Sequence, residues 1–411
     1  MKSLLHGRMG TAAGFALGAV LLLGIAPAVL PAFNLALLGK FLCFAIVAVG
    51  IGLAWGRGGM LTLGQGVFFG LGAYIMAMHM KLADASLFGG SGVPDFMSLY
   101  GSGEVPGWWE PFRSPAVTLL AVVLVPGLVA LILGLAIFKR RVKGAYFAIL
   151  SQALAAAFAV FLIGQQATTG GSNGLNGFRS FFGFDLKDPN NKLMLYMIAA
   201  VILLLSLAAA RQLMHSRLGE LLVAVRDQEE RVRFLGYDPA TVKTVIYVVA
   251  AILAGIAGAL FVPLVGIISP ADVGVIPSIA FLIGVAIGGR ATLLGPVLGA
   301  VGVAAAQSSL SSTFPSFWVY FQGLLFVLVI GFMPGGLASL PALVRRRRGT
   351  PQAAARQEAA APAVPSPGAP SHAAPSPAAP SPAATDAAAQ TPAAPDSGAG
   401  TRTTKSEEVS R

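Results

Sequence analysis

Apolar runs of about 20 residues follow one another along most of this chain, and that succession constrains the fold more than any motif does. A helix of that length crosses a hydrocarbon core of about 30 Å. Ten such runs cover residues 11–30, 35–55, 60–80, 115–138, 145–165, 193–210, 244–268, 275–288, 292–308 and 318–337. The eighth and ninth are short, and they read as one bent pair around Gly288, Gly289 and Arg290. Of the 411 residues 55% are apolar and 11% charged, whereas soluble domains carry about 25% charged residues. The expected fold is therefore an all-α polytopic membrane protein with about ten transmembrane helices.

Basic residues cluster in alternate loops. Lys139, Arg140, Arg141 and Lys143 follow the fourth run, six more lie between Arg211 and Lys243, and Arg345 to Arg348 follow the tenth. One side of the membrane then carries 18 Lys/Arg and 5 Asp/Glu, the other 6 and 7, and the tail after Arg348 4 and 5. Lys/Arg-rich loops stay inside, so both termini are expected in the cytoplasm. This distribution, not nucleic-acid binding, accounts for the net charge of +11. The first run, preceded by Lys2 and Arg8, is longer than a signal-peptide core and reads as a retained helix. The single cysteine, Cys43, reads as a buried apolar thiol. From Gly349 the chain turns to alanine, proline and serine. Such a segment buries too little surface to order itself and is expected to be a disordered cytoplasmic tail. The expected domain division is a permease body over 1–343 and a basic stop with tail over 344–411.

Acids are missing where a proton-driven pump needs them. Residues 1–83, 111–184, 239–271 and 273–357 contain no Asp or Glu. Intramembrane relays are built from Asp, Glu and His. The phosphate loop of ATP-binding proteins is also absent, the Gly39–Lys40 pair lacking the rest of that motif. Energy for transport would have to come from a separate protein. The loop between Arg211 and Lys243 is suited to meeting one. Arg226/Glu230, Asp227/Arg231 and Glu229/Arg233 stand at i,i+4, and Gly236 and Pro239 are stop signals. A solvated amphipathic connector and a docking surface are both open from these residues.

Residues 216–227 (SRLGELLVAVRD) and 232–237 (VRFLGY) resemble the coupling loop of the branched-chain amino acid type of ABC permeases. So do 254–260 (AGIAGAL), 288–296 (GGRATLLGP) and 169–175 (TGGSNGL). Three further stretches are most similar to the urea permease of that family: 55–66 (WGRGGMLTLGQG), 94–97 (PDFM) and 106–112 (PGWWEPF). The resemblance covers roughly 34–337; the tail and the proline of the Gly295–Pro296 pair depart from it. It implies a multi-pass subunit of the bacterial cytoplasmic (inner) membrane with no enzyme activity or cofactor of its own. The implied partners are a second homologous permease subunit, two cytoplasmic ATPases, an extracytoplasmic solute-binding protein and membrane lipid, with no nucleic acid. On this reading Arg217, Glu220, Arg226, Asp227, Arg231 and Gly236 belong to the ATPase-coupling loop.

The outer loop then supplies candidate contacts for the binding protein: Asp84, Asp95, Glu104 and Glu110 with Trp108 and Trp109. An interfacial aromatic belt remains the alternative for the two tryptophans. The solute path calls for neutral polar groups, and Thr62, Gln65, Ser151, Gln152, Gln165 and Gln166 are the candidates. Amide side chains both give and accept the hydrogen bonds of urea, and helix-packing hydrogen bonds are the alternative for each. Gly66/Gly70 and Gly284/Gly288 read as packing seams. The echo of Gly58, Gly59 and Thr62 in Gly288, Gly289 and Thr292 reads as coincidence. Urea import leads; branched-chain amino acid import is the alternative, and a passive channel or a membrane scaffold are rivals from other classes.

Overall fold

The structure is a computed structural model, and it describes residues 14–88, 92–142, 144–313, 320–324, 327–328 and 336. Lys143, most of the tenth apolar run and everything after 336, the tail included, lie outside the described residues. The described residues belong to one compact unit, Met1–Gly349.

Among them, eight helices are long and apolar enough to cross a bilayer. They are α2 (Ala32–Arg57), α3 (Gln65–Phe88), α5 (Pro115–Lys139), α6 (Ala145–Gly164), α7 (Pro189–Met214), α9 (Pro239–Val265), α10 (Pro270–Gly288) and α11 (Leu294–Ser311). A shorter apolar helix, α1 (Gly14–Val29), corresponds to the first run. α4 (Asp95–Tyr100) lies in the outer loop and α8 (Arg217–Phe234) in the long cytoplasmic connection. The chain belongs to the all-α polytopic class. Two short antiparallel ribbons, β1 (Leu175–Asn176) with β4 (Ile267–Ile268) and β2 (Ser180–Phe181) with β3 (Phe184–Asp185), are the departures from helix.

Helix starts follow local chemistry. Asp188, Ser216 and Asp238 cap α7, α8 and α9, each side chain accepting a backbone N–H of the first turn. Pro189 and Pro239 occupy the first helical position, where no N–H is needed. α9 is the central post, packed by α2, α3 and α5. Small residues set the contacts: a Cβ at Gly72 would meet the Gly255 carbonyl, and one at Gly258 the Phe69 carbonyl.

Two expectations need correction. The third run starts as a helix at Gln65, not Met60, and continues to Phe88. Gly59 takes φ +66°, a left-handed turn open to glycine, and the chain then runs without regular secondary structure to Gly64. Asp84 is thereby moved from the outer loop into the last turns of α3. There it is buried and accepts from the Arg179 and Ser180 N–H groups and the Ser180 hydroxyl at 2.6–2.9 Å. It is occupied in joining α3 to β2 and is no contact for a soluble partner.

The eighth and ninth runs do form a bent pair. α10 ends at Gly288, Gly289 turns with φ +105°, and α11 packs back along α10. A Cβ at Gly284 would lie 2.8 Å from the Ala300 Cα, and one at Gly288 would collide with the Gly295 carbonyl. Gly66 and Gly70 likewise press on Val273, so both glycine pairs are packing seams. The echo at 58–62 and 288–292 has a spatial counterpart. Each stretch has its second glycine at positive φ, Gly56 abuts the Arg290 carbonyl, and the Arg290 guanidinium lies 4.9 Å over the Trp55 ring.

Candidate functional site

The candidate residues fall into three groups. The cytoplasmic group is α8. Its inner face buries Leu222, Val225 and Val232, while Arg217, Glu220, Arg226, Asp227, Arg231 and Gly236 are all exposed. The i,i+4 pairing expected on a continuous helix is interrupted. Gln228 has φ −149° and ψ 73°, which breaks the register between Arg226 and Glu230 and between Asp227 and Arg231. Arg226 pairs with its neighbour Asp227 at 2.8 Å, holding the Asp227 carboxyl below the usual carboxylate range. Beyond the kink Glu229/Arg233 forms as expected at 3.4 Å, and Glu229 also receives Lys243 at 2.8 Å.

The outward end of α8 is apolar. Phe234 is 90% exposed, Leu235 72% and Tyr237 55%, grouped around Gly236 at φ +87°. Charged helix and aromatic end together form one solvent-facing surface. Behind it, α8 is tied to α2. The Arg226 Nη1 donates to the Gly56 carbonyl at 2.9 Å, and Leu222 and Arg226 lie against Gly58 and Gly59.

From Gly59 the irregular stretch leads to the second group. Thr62 and Gln65 are buried, and the Thr62 hydroxyl and both polar atoms of the Gln65 amide have no hydrogen-bond partner among the described residues. Such atoms cost about 1–3 kcal/mol each unless water or solute meets them. Ser151 of α6 has a structural task. Its Oγ accepts from the Leu63 N–H at 3.0 Å and donates to the Ala148 carbonyl. Ser278 of α10 does the same for α3, accepting from the Gly66 N–H at 3.0 Å. Gln152 is half-buried one residue beyond Ser151, whereas Gln165 and Gln166 are exposed at the far end of α6. The six path candidates therefore divide: Thr62, Gln65, Ser151 and Gln152 share one region and the other two do not.

The outer group is split as well. Asp95 is exposed at the first turn of α4, and Glu110 is exposed and paired with Arg113 at 2.7 Å. That guanidinium holds the Glu110 carboxyl below its ordinary range. Trp108 is 52% exposed, but Trp109 is 0% exposed, with its ring 6.0 Å from Phe96 and 5.9 Å from Trp108. Trp109 anchors the outer loop against the helices. It serves neither as a surface contact nor in an interfacial belt.

Two features carry no signal in the motifs considered. Phe234 and Tyr237 stand inside the coupling-loop stretch, and their exposure follows from the helix ending at Leu235. Lys40 stands five residues into the second apolar run, an anomaly readable from sequence alone; it lines a cavity with Phe44, Phe69 and Phe261.

Comparison with known proteins agrees with this architecture. The permease LivM of the high-affinity branched-chain amino acid transport system of Salmonella typhimurium is 25% identical over 316 residues, covering 72% of this chain and 67% of LivM. LivM of Escherichia coli K12 matches to the same extent. No solved structure matches. Residues 33–331 match the family described as the permease component of the branched-chain amino acid transport system. That match takes in every membrane-crossing helix from α2 to α11, and the chain belongs to this family of ABC importer permeases, multi-pass proteins of the bacterial inner membrane.

Proposed function

We propose that the chain forms one half of the membrane path of an ATP-driven importer for urea. The observation that carries the importer reading is the tie between α8 and the solute region. The exposed face of α8 is free to meet an ATPase, while Arg226 holds it to Gly56, six residues before Thr62. A tilt of α8 would act first on the irregular stretch that carries Thr62 and leads into Gln65. In this reading Arg217, Glu220, Arg226, Asp227, Arg231 and Gly236 form the ATPase-facing surface with Phe234, Leu235 and Tyr237. A second homologous permease, two ATPases and an extracytoplasmic binding protein complete the assembly.

Thr62, Gln65 and Gln152 offer hydroxyl and amide groups to a neutral solute, and Ser151 and Ser278 hold the helices that carry them. Asp95, Trp108 and Glu110 remain as outer contacts for the binding protein. Urea is favoured by the three stretches at 55–66, 94–97 and 106–112. A second reading, branched-chain amino acid import, is favoured by the two LivM relatives, permeases of a high-affinity branched-chain amino acid transport system.

Reconstitution of both permeases, the ATPases and the binding protein in liposomes, with labelled urea or leucine outside, tests this. ATP-dependent urea uptake that survives collapse of the proton gradient is expected. Leucine uptake without urea uptake overturns the solute; uptake without ATP overturns the importer. We place the domain boundary at 343/344. Deleting 349–411 should leave uptake nearly intact, because a Pro/Ala/Ser segment supports no packed core.

A further inference from the structure

A cavity of about 360 Å³ opens beside α2, α10 and α11 in the outer half of the permease body. Its wall is aromatic. Phe44 lies 5.2–6.3 Å from the rings of Phe69, Phe261 and Phe281, and Phe69 also contacts the other two. Into this wall reaches Lys40, eight residues past the start of α2. Its Nζ stands 5.9 Å over the rings of both Phe44 and Phe261. A lysine that merely escapes lipid turns to the nearer water surface. This one is held over a ring one helical turn deeper. Ionisable groups at such depth face water-filled cavities rather than lipid.

Gln307, Gln322 and Asp272 complete the polar lining. Asp272 Oδ2 is taken by the N–H and hydroxyl of Ser269. Two of its rings stand near the solute region already described. Phe69 follows Gln65 by four residues on α3 and Phe281 follows Ser278 by three on α10, so each ring sits one turn from a polar group of that region, on the same helix face.

We propose that this cavity is an outer station of the solute path, where Lys40 donates to the sp² oxygen of a small carbonyl- or carboxylate-bearing solute. The phenyl rings carry the body of the solute, and the glutamine amides meet its N–H groups. Under the reading above, which this inference extends, the oxygen is the urea carbonyl. A carboxylate of an amino acid presents the same chemistry, and the test separates them.

The reconstituted complex is assayed for labelled urea and labelled leucine uptake with wild-type, Lys40→Met and Lys40→Arg permease at matched abundance. Loss of a charge-assisted hydrogen bond should lower uptake of the carried solute about tenfold at sub-saturating concentration in Lys40→Met, with Lys40→Arg largely spared. Separately, Gln307→Cys in a Cys43→Ala background, with Lys40 in place, is exposed to an impermeant thiol reagent from outside. Labelling is expected, and the carried solute should slow it. If the wild type carries leucine and not urea, the solute assignment above fails while the loss in Lys40→Met still supports the station. Normal uptake in Lys40→Met, or a thiol at 307 that is never labelled or never protected, overturns it. The thiol assay stands even where Lys40→Met does not fold.

Discussion

Phe234→Ala separates a docking surface from a solvated connector. The ring is 90% exposed in the permease, so its removal should move stability by no more than about 0.5 kcal/mol. Buried against an ATPase, a phenylalanine side chain contributes about 1.5–3 kcal/mol. At about 1.4 kcal/mol per tenfold in affinity, that is roughly a ten- to hundredfold loss of ATPase binding. The assay is titration of purified ATPase against permease in nanodiscs, read by copurification and by solute-stimulated hydrolysis. The midpoint should rise by that factor while the melting temperature stays put. Phe161→Ala on α6, also an exposed aromatic, should shift nothing. Reversal of Arg226 and Asp227 is a less clean probe, because Arg226 also holds Gly56 and its loss would disturb the permease itself. A Phe234→Ala midpoint equal to wild type would refute the docking role. The ring would then be an interfacial anchor in lipid headgroups, and the importer reading would lose its main structural support.

Gly288→Val should prevent α10 and α11 from closing, since its side chain would enter the Gly295 carbonyl and the Gly299 backbone. A loss of about 3 kcal/mol is expected, seen as low membrane abundance, whereas Gly302→Ala, with open space around it, should be neutral. Trp109→Ala should cost about 3–5 kcal/mol by emptying a packed site, against about 1 kcal/mol for Trp108→Ala, measured by thermal unfolding in detergent. Asp238 caps α9, and the Thr241 hydroxyl, followed by the N–H groups of Ala240 and Thr241, holds its carboxyl below the ordinary range. The native state thus binds that proton less readily than the unfolded chain. The stabilisation is present above the ordinary carboxylate pKa and is lost as pH falls through the lowered value. Asp238→Asn should flatten that part of the stability–pH curve.

Much of the fold was legible because bilayer thickness acts on composition. The runs at 115–138, 145–165 and 275–288 lie within a residue or so of α5, α6 and the helical part of α10. The third run was misplaced because hydropathy does not register backbone conformation. Residues 60–64 are apolar enough to continue a helix, but the left-handed turn at Gly59 and the Leu63–Ser151 hydrogen bond hold them as an irregular, non-helical segment. Asp84 was misread for the same reason: an acid near the end of an apolar run looks like loop unless its partners, here two backbone N–H groups and a hydroxyl nearly a hundred residues away, are known.

Site residues were legible where the chemistry is local and hidden where it depends on tertiary contact. Five of the six coupling-loop residues are charged, and all six are exposed. The pairing arithmetic in the same helix fails at Gln228, where a single residue leaves helical φ/ψ and redirects Arg226 to Asp227 and Gly56. Adjacent tryptophans look alike in sequence, yet packing against Phe96 buries one and leaves the other in solvent. Ser151 and Gln65 are both polar groups in apolar runs. One is fully used by the Leu63 N–H and the Ala148 carbonyl, while the other has no partner among the described residues. Among the neutral polar candidates, spare hydrogen-bonding capacity therefore separates a path residue from a packing residue under the proposed reading. By that criterion Thr62 and Gln65 stay as candidates and Ser151 becomes scaffold, while Lys40 joins them on a different ground, its place at the aromatic wall of the outer cavity.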